Sequence, residues 1–209
     1  MSVGRFFVLD GVDGSGKSTQ AERLVRALAQ AGRGEALHLR EPGGTGAGEA
    51  LRKLLLARET VLCIEAETLL FAASRRQMLA EQVAPALEAG RDVVCERFHA
   101  STFAYQAVAG GLDPKAVLGL LEEWASDPLP DLELILTVDP ARALGRRGGA
   151  RDRIEDRGLV YQERVAEGYR RYAERVERAV LIDGEPSVDA VAHEILGCVR
   201  PLLGEESPS

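Results

Sequence analysis

Residues Gly11 to Ser18, Gly-Val-Asp-Gly-Ser-Gly-Lys-Ser, fit the pattern GxxxxGK[ST] at every fixed position. The apolar run Arg5–Asp10 precedes them, and a stretch of helical periodicity, Lys17–Gln30, follows. Strand, glycine-rich turn and helix in that order make a phosphate-binding loop. The glycines let backbone N–H groups turn inward, and the helix adds the positive end of its dipole. Lys17 is placed to reach the β- and γ-phosphates and the Ser18 hydroxyl to ligate Mg²⁺. The nucleotide-binding set is therefore Gly11, Val12, Asp13, Gly14, Ser15, Gly16, Lys17, Ser18 and Thr19.

The rest of the chain is organised to match. Short apolar runs at Ala36–Leu39, Asp92–Cys95, Leu132–Val138 and Ala179–Ile182 read as further buried strands. Between them lie helical patterns at Ala66–Ala89 (broken or kinked at Pro85), Lys115–Ala125, Tyr161–Arg178 and Val188–Leu203. Alternation of this kind predicts an α/β fold, three-layered α/β/α of the P-loop NTPase type, with a five-stranded parallel sheet. No repeat or linker divides residues 1–209, so a single domain is expected, with the tail Gly-Glu-Glu-Ser-Pro-Ser frayed.

Composition narrows the function. A formal charge of −7 argues against a general nucleic-acid binder, so any anion must be met by local basic clusters. No apolar run reaches membrane-spanning length, and Cys63, Cys95 and Cys198 form no metal or disulfide framework, which fits a reducing cytoplasm. The chain contains no Asn, and Arg outnumbers Lys 23 to 3, a bias that fits heat adaptation or a GC-rich genome alike. Without Asn there is no Asn-Lys-x-Asp guanine reader, which speaks against a GTPase.

Ligands in open α/β sheets sit at the carboxyl ends of strands. The third strand ends in Cys95-Glu96-Arg97-Phe98, followed by His99-Ala100-Ser101-Thr102-Phe103-Ala104-Tyr105-Gln106. Glu96 is placed to orient Mg²⁺ or its water shell, and Arg97 to hold a phosphate. Past the fourth strand, Arg142, Arg146, Arg147, Arg151, Arg153 and Arg157 crowd a segment containing Gly145, Gly148 and Gly149, the makings of a basic lid. Val12, Asp13 and Ser15, at the loop's variable positions, supply no cation, so transition-state charge must come from the lid.

Four stretches beyond the loop carry a resemblance. They are Arg40-Glu41-Pro42-Gly43-Gly44-Thr45, Leu70-Phe71-Ala72-Ala73-Ser74-Arg75, Glu96-Arg97-Phe98 with Ser101-Thr102 and Tyr105-Gln106, and Asp152-Arg153-Ile154-Glu155. In this order and spacing, over residues 3–203, the chain resembles the bacterial thymidylate kinases. The resemblance implies an ATP- and Mg²⁺-dependent phosphotransferase acting on dTMP, without phosphoenzyme, cytoplasmic and homodimeric. The apolar Ala66–Ala89 stretch is the candidate dimer face.

It also implies roles. Phe71 would stack on thymine, and Arg75, four residues on and hence on the same helix face, would donate to O4. Thr102 and Gln106 would serve the base's other polar edge and methyl group. Tyr105 would close on C2′ and favour deoxyribose. Arg97 and Arg52 would hold the acceptor phosphate with Glu41 nearby, and Asp13 would sit by the 3′-hydroxyl and the transferring phosphate. Lys17 and the lid arginines, Arg153 first, then Arg147 and Arg151, would stabilise the transferring group. Where the family usually has Asp-Arg-Tyr or Asp-Arg-His, this chain has Glu96-Arg97-Phe98. The extra methylene shifts metal contact at Glu96 towards contact through water. Two rival readings remain: a kinase for another nucleoside monophosphate, and a P-loop module that binds nucleotide without turnover.

Overall fold

The structure is a computed structural model that describes residues 4–146, 153–154 and 157–204. Five strands form one parallel sheet: β1 (Phe6–Gly11), β2 (Leu37–Arg40), β3 (Val93–Glu96), β4 (Leu132–Thr137) and β5 (Ala179–Asp183). Their order across the sheet is β2-β3-β1-β4-β5. β1 runs Phe-Phe-Val-Leu with no polar alternation because both of its faces are covered.

Alternate residues divide between the two faces. Phe7 and Leu9, with Val94, Leu134 and Leu136, pack on Leu24 and Leu28 of α1 (Lys17–Gln30) and on Val191, Ile195 and Val199 of α9 (Val188–Leu203). Phe6 and Val8, with Val93 and Cys95, pack on Met78, Leu79, Val83 and Phe98. Ile135 completes that side with Val165, Tyr169 and Tyr172 of α8 (Leu159–Ala173). Each such fully buried side chain contributes about 1.5–3 kcal/mol, so the sheet is a rigid platform for whatever stands at its ends.

The remaining helices are α2 (Gly46–Leu56), α3 (Ile64–Met78), α4 (Ala84–Glu88), α5 (His99–Thr102), α6 (Pro114–Trp124) and α7 (Pro140–Gly145). The helical stretch expected over Ala66–Ala89, broken or kinked at Pro85, is α3, a wide π turn at Leu79–Val83, and α4. Pro85 lacks an N–H and its ring crowds the carbonyl four residues back, so the irregularity falls in the turn before it. A second π turn, Phe103–Ala109, continues α5 and carries Tyr105 and Gln106.

Helix α2 was absent from the sequence reading because three small residues open it. Its signal is local: Thr45 Oγ1 accepts from the Gly48 amide at 2.9 Å and Glu49 Oε1 from the Gly44 amide at 2.9 Å. Helix α8 ends at Ala173, short of Arg178.

Register positions the site. β1 pairs with β3 so that Leu9 lies opposite Glu96, and β2 pairs with β3 so that Arg40 lies opposite it from the other side. The phosphate loop, the Glu41 turn and the Glu96–Arg97 turn therefore leave the sheet side by side.

Candidate active site

The phosphate loop is built by its glycines. Gly11, Gly14 and Gly16 have φ of 132°, 86° and 95°. A Cβ at Gly11 would lie 2.4 Å from the Leu136 carbonyl, and one at Gly14 would lie 2.3 Å from that of Ala143. Helix α1 starts at Lys17 with no acidic residue in its first turn and no side-chain cap, so its positive end faces the loop uncompensated. Lys17 Nζ donates to the carbonyls of Gly11 at 2.9 Å and Val12 at 2.8 Å, and lies 3.7 Å from Asp13 Oδ1. Burial, aided by Arg97, pulls its pKa down to about 8 against the pull of Asp13, Asp10 and Glu96.

Asp10, at the last position before the loop, escaped the sequence reading. Its wholly buried carboxylate accepts from the amides of Gly11, Phe98 and Ser101, from Ser101 Oγ at 2.7 Å and from Tyr169 Oη at 2.7 Å. It fastens the turn after β3 to the end of β1. Arg97 sits in that turn at φ 71°, in the left-handed region, the one non-glycine there among the described residues. Its guanidinium donates to Asp13 Oδ1 and to Ser101 Oγ, and its Cζ lies 5.4 Å from the Tyr105 ring centroid. Tyr105 Oη in turn donates to Asp13 Oδ2 at 3.3 Å.

Glu96 Oε2 accepts from Ser18 Oγ at 2.5 Å and Oε1 meets His38 Nε2 at 3.1 Å. Burial pushes its pKa up, but the bonds from His38 and Ser18 and the charge of Arg40 outweigh that and hold it below the usual carboxylate value. A hydroxyl and an ionised carboxylate meeting at the mouth of a phosphate loop are hard oxygen donors of the kind Mg²⁺ takes alongside phosphate and water. The residues present fit that ion. His38 was not foreseen; its signal was an i, i+2 place beside Arg40 on β2.

Beyond Arg97 a cleft opens, lined by Glu41, Pro42, Leu56, Phe71, Arg75, Arg97, Ser101, Thr102, Tyr105, Gln106 and Ile154. Phe71 is half-buried, so one side of the ring remains available to the cleft. Arg75 is 1% exposed, and its guanidinium donates to Glu41 Oε2 at 2.7 Å, to the Phe98 carbonyl at 2.9 Å and twice to Thr102 Oγ1 at 3.1 Å. These bonds occupy four of five N–H groups and leave one on Nη1. Thr102 thus meets Arg75 directly. Phe98 lies under Arg75, 5.0 Å from Cζ to ring centroid, which gives this apolar replacement for Tyr or His a packing role.

Glu41 Oε1 is buried with no partner, and burial, opposed by Arg75, raises its pKa to about 7. Arg52 reaches the same turn from α2, donating to the Pro42 carbonyl at 2.8 Å. His99 is buried against the Ala125 carbonyl at 2.7 Å, and burial with Arg75 nearby pushes its pKa well below the usual value, which makes it a poor proton acceptor.

The basic segment is divided. Arg142 and Arg146 pair with Glu185 on the far side of the loop. Arg153 donates to the Leu55 carbonyl and to Glu67 Oε2 at 2.6 Å, and Arg157 to the same oxygen at 2.7 Å. In this arrangement Arg153 stands on the acceptor wall instead of over the loop, because Glu67 is wholly buried and demands cationic partners. Arg147, Arg151, Asp152 and Glu155, together with Gly148 and Gly149, lie outside the described residues, as do the last five residues of the tail.

A phosphate loop facing a lined base-sized cleft across a shared ion pair is the layout of a nucleoside monophosphate kinase. The thymidylate kinase family model matches residues 9–195. The chain belongs to the thymidylate kinase family. A thymidylate kinase of Solidesulfovibrio magneticus is 42% identical, covering 95% of this chain and all of that one. One from Jannaschia sp. is 41% identical, covering 96% and 98%. Among solved structures, thymidylate kinase from Ehrlichia chaffeensis superposes with a TM-score of 0.75 at 28% identity, covering 94% of this chain and 99% of that one. The α/β P-loop fold expected from the sequence is the fold found.

Proposed function

We propose that this chain transfers the γ-phosphoryl group of ATP to dTMP, giving dTDP and ADP. The observation that carries the reading is Arg97. It is locked in a left-handed turn with Asp13 of the phosphate loop on one side and the Phe71–Arg75 cleft on the other. A cation there serves the one atom group that donor and acceptor share, the phosphates about to be joined.

In the proposed reaction a phosphate oxygen of dTMP attacks the γ-phosphorus in line, and ADP leaves. The acceptor is already ionised at neutral pH, so positioning and charge stabilisation carry the catalysis. The loop from Gly11 to Thr19 grips the donor, and Lys17 exchanges its two carbonyl partners for phosphate oxygens. Ser18 and Glu96 are the residues that would hold Mg²⁺, which supplies charge neutralisation along the polyphosphate. Arg97, with Arg52 and Glu41 beside it, holds the acceptor phosphate. Phe71 stacks on the base, and the remaining Nη1–H of Arg75 donates to O4. Tyr105, tethered to Asp13, closes on the sugar at C2′. Arg153, Arg147 and Arg151 are the proposed lid cations that meet the charge of the transferring group.

The same reading makes residues 1–209 one kinase domain working in the cytoplasm as a homodimer. No helix among the described residues is long and apolar enough to cross a membrane. Leu69 on α3 is an exposed apolar residue on the Ala66–Ala89 stretch proposed to pair, and light scattering on the purified chain tests the dimer. The test of function is ADP release with ATP and each of dTMP, dUMP, dCMP and AMP. Turnover with dTMP ahead of the others is expected, and preference for AMP or no turnover at all would refute it.

A further inference from the structure

Glu67 lies four residues before Phe71 and eight before Arg75, on the stripe of α3 that faces the cleft. Its side chain is wholly buried, and each oxygen has a different employer. Oε2 takes charge-assisted bonds from Arg153 at 2.6 Å and Arg157 at 2.7 Å. Oε1 takes the Gln106 amide nitrogen at 2.9 Å. Two partly buried guanidiniums pair with this carboxylate, and a carboxylate so paired only accepts. The amide of Gln106 therefore cannot be turned the other way without setting its carbonyl oxygen against a negative charge.

Gln106 lines the cleft beside Arg75 and Thr102. With one amide N–H held by Glu67 the amide is fixed in orientation, and the carbonyl oxygen at its other end is the acceptor it offers a ligand. Resting on the dTMP kinase reading above, we propose that Glu67 is a positioning residue for base selection. It fixes Gln106 as an acceptor beside the donor Arg75, so that the cleft takes a pyrimidine presenting a carbonyl next to a ring N–H. A thymine or uracil edge has O4 and N3–H in that order. A cytosine edge offers an amino group and a bare ring nitrogen, so donor meets donor and acceptor meets acceptor. Both arginines belong to the basic segment that follows β4, so the placement of Arg153 and Arg157 and the polarity of the base reader depend on one carboxylate.

The test is Glu67→Gln, assayed with dTMP, dUMP and dCMP. A neutral amide at 67 accepts either orientation of Gln106. The dTMP:dCMP ratio of kcat/KM should fall at least about tenfold, the factor associated with losing one oriented hydrogen bond. The dTMP:dUMP ratio should hold, because the two bases share the edge being read. Arg157→Gln, which leaves Gln106 and Oε1 untouched, should keep the dTMP:dCMP ratio whatever it does to stability. If Glu67→Gln does not fold, Glu67→Asp retains the charge for both arginines but withdraws from Gln106, and the same ratio should drop. An unchanged ratio in the folded variants, with only a lower Tm or a uniform loss on all three substrates, would overturn the proposal. A wild-type protein that does not prefer dTMP to dCMP would instead sink the functional reading, whatever the variants do.

Discussion

Asp13 of the phosphate loop and Arg97 at the end of β3 are joined by an ion pair that spans the boundary between the donor and acceptor halves of the site. The same carboxylate lies 3.7 Å from Lys17 Nζ and accepts from Tyr105 Oη at 3.3 Å. Three groups that must each face a phosphate or a sugar are thus indexed on one side chain. Asp13→Asn keeps the shape and removes the charge. It is expected to lower kcat/KM for dTMP by about 10–100-fold, since an acceptor misplaced by even 1 Å costs on that order. The Tm should change little, because Asp13 is only partly buried. Steady-state kinetics beside a thermal melt check it, and wild-type kinetics would show that Arg97 is held well enough by Ser101 alone.

Tyr105 tests the sugar side. It is 4% exposed and wedged among Arg97, Tyr161 and Tyr169, so the ring has little freedom to retreat from a bulkier sugar. Tyr105→Ala should relax the preference for dTMP over 5-methyluridine monophosphate, whereas Tyr105→Phe, which keeps the ring and loses the hydroxyl that bonds Asp13, should retain it. Relative kcat/KM for the two nucleotides decides, and equal relaxation in both variants would put the selectivity in the hydroxyl instead of the ring.

Lys17 gives a pH signature. Burial and Arg97 lower its pKa from 10.5 to about 8, so between those values the unfolded chain carries a proton that the folded chain has lost. Stability linked to this side chain therefore rises with pH from about 8 to 10.5. A bound triphosphate restores the charge, so nucleotide binding near pH 9 should take up a proton. Calorimetric titration in two buffers of different ionisation enthalpy measures this uptake, and Lys17→Met should abolish it. The same variant should cut turnover by orders of magnitude while dTMP affinity is nearly kept. Zero uptake by the wild type would mean that the amine stays charged at its carbonyl partners.

The strands show how far the sequence could be read and where it stopped. Apolar runs located all five, but β1, β2 and β3 each lie one residue later than their runs suggested, beginning at Phe6, Leu37 and Val93 and ending at Gly11, Arg40 and Glu96. The displaced residues are polar or glycine because the carboxyl ends of these strands are the site. Hydrophobicity thus marks the platform and is silent about the last residue of each strand.

Motif spacing pointed to Lys17, Ser18 and Arg97, each at a fixed offset from a glycine or a strand end, whereas Phe71 and Arg75 were marked by the family resemblance alone, since spacing by itself reads Phe71 as core packing. It did not find Asp10, His38 or Glu67, whose partners are 91, 58 and 86 residues away in Ser101, Glu96 and Arg153. Such pairs exist only once the chain is folded. The traces they left were faint: the i, i+2 place of His38 beside Arg40, and the four-residue steps from Glu67 to Phe71 and Arg75.

His38 is accessible to experiment because it acts on Glu96 from β2, away from the nucleotide loop. Its bond at 3.1 Å and that from Ser18 together keep Glu96 ionised against burial. His38→Ala should raise the Mg²⁺ concentration needed for half-maximal rate several-fold, with a smaller effect on KM for dTMP. Titrating Mg²⁺ at saturating ATP and dTMP measures it. An unchanged Mg²⁺ requirement would mean that Ser18 alone orients Glu96.

Arg153 poses the sharpest question, because its observed partners and its proposed task differ. It is bonded to the Leu55 carbonyl and to Glu67, yet the phosphate loop has no arginine of its own to meet the charge that develops in transfer. The two uses are compatible if Arg153 can leave Glu67 without stranding a buried carboxylate, and Arg157 makes that possible by bonding the same oxygen at 2.7 Å. Arg153→Ala should then fold with little change in Tm and lose activity chiefly in kcat, by at least about tenfold. A rise in KM for dTMP with kcat intact would confine Arg153 to the acceptor wall and leave the lid's charge to Arg147 and Arg151. Loss of folding would show that Glu67 needs both cations, and the double variant Arg153→Ala with Glu67→Gln, which removes the charge as well as one of its partners, should then restore the melt.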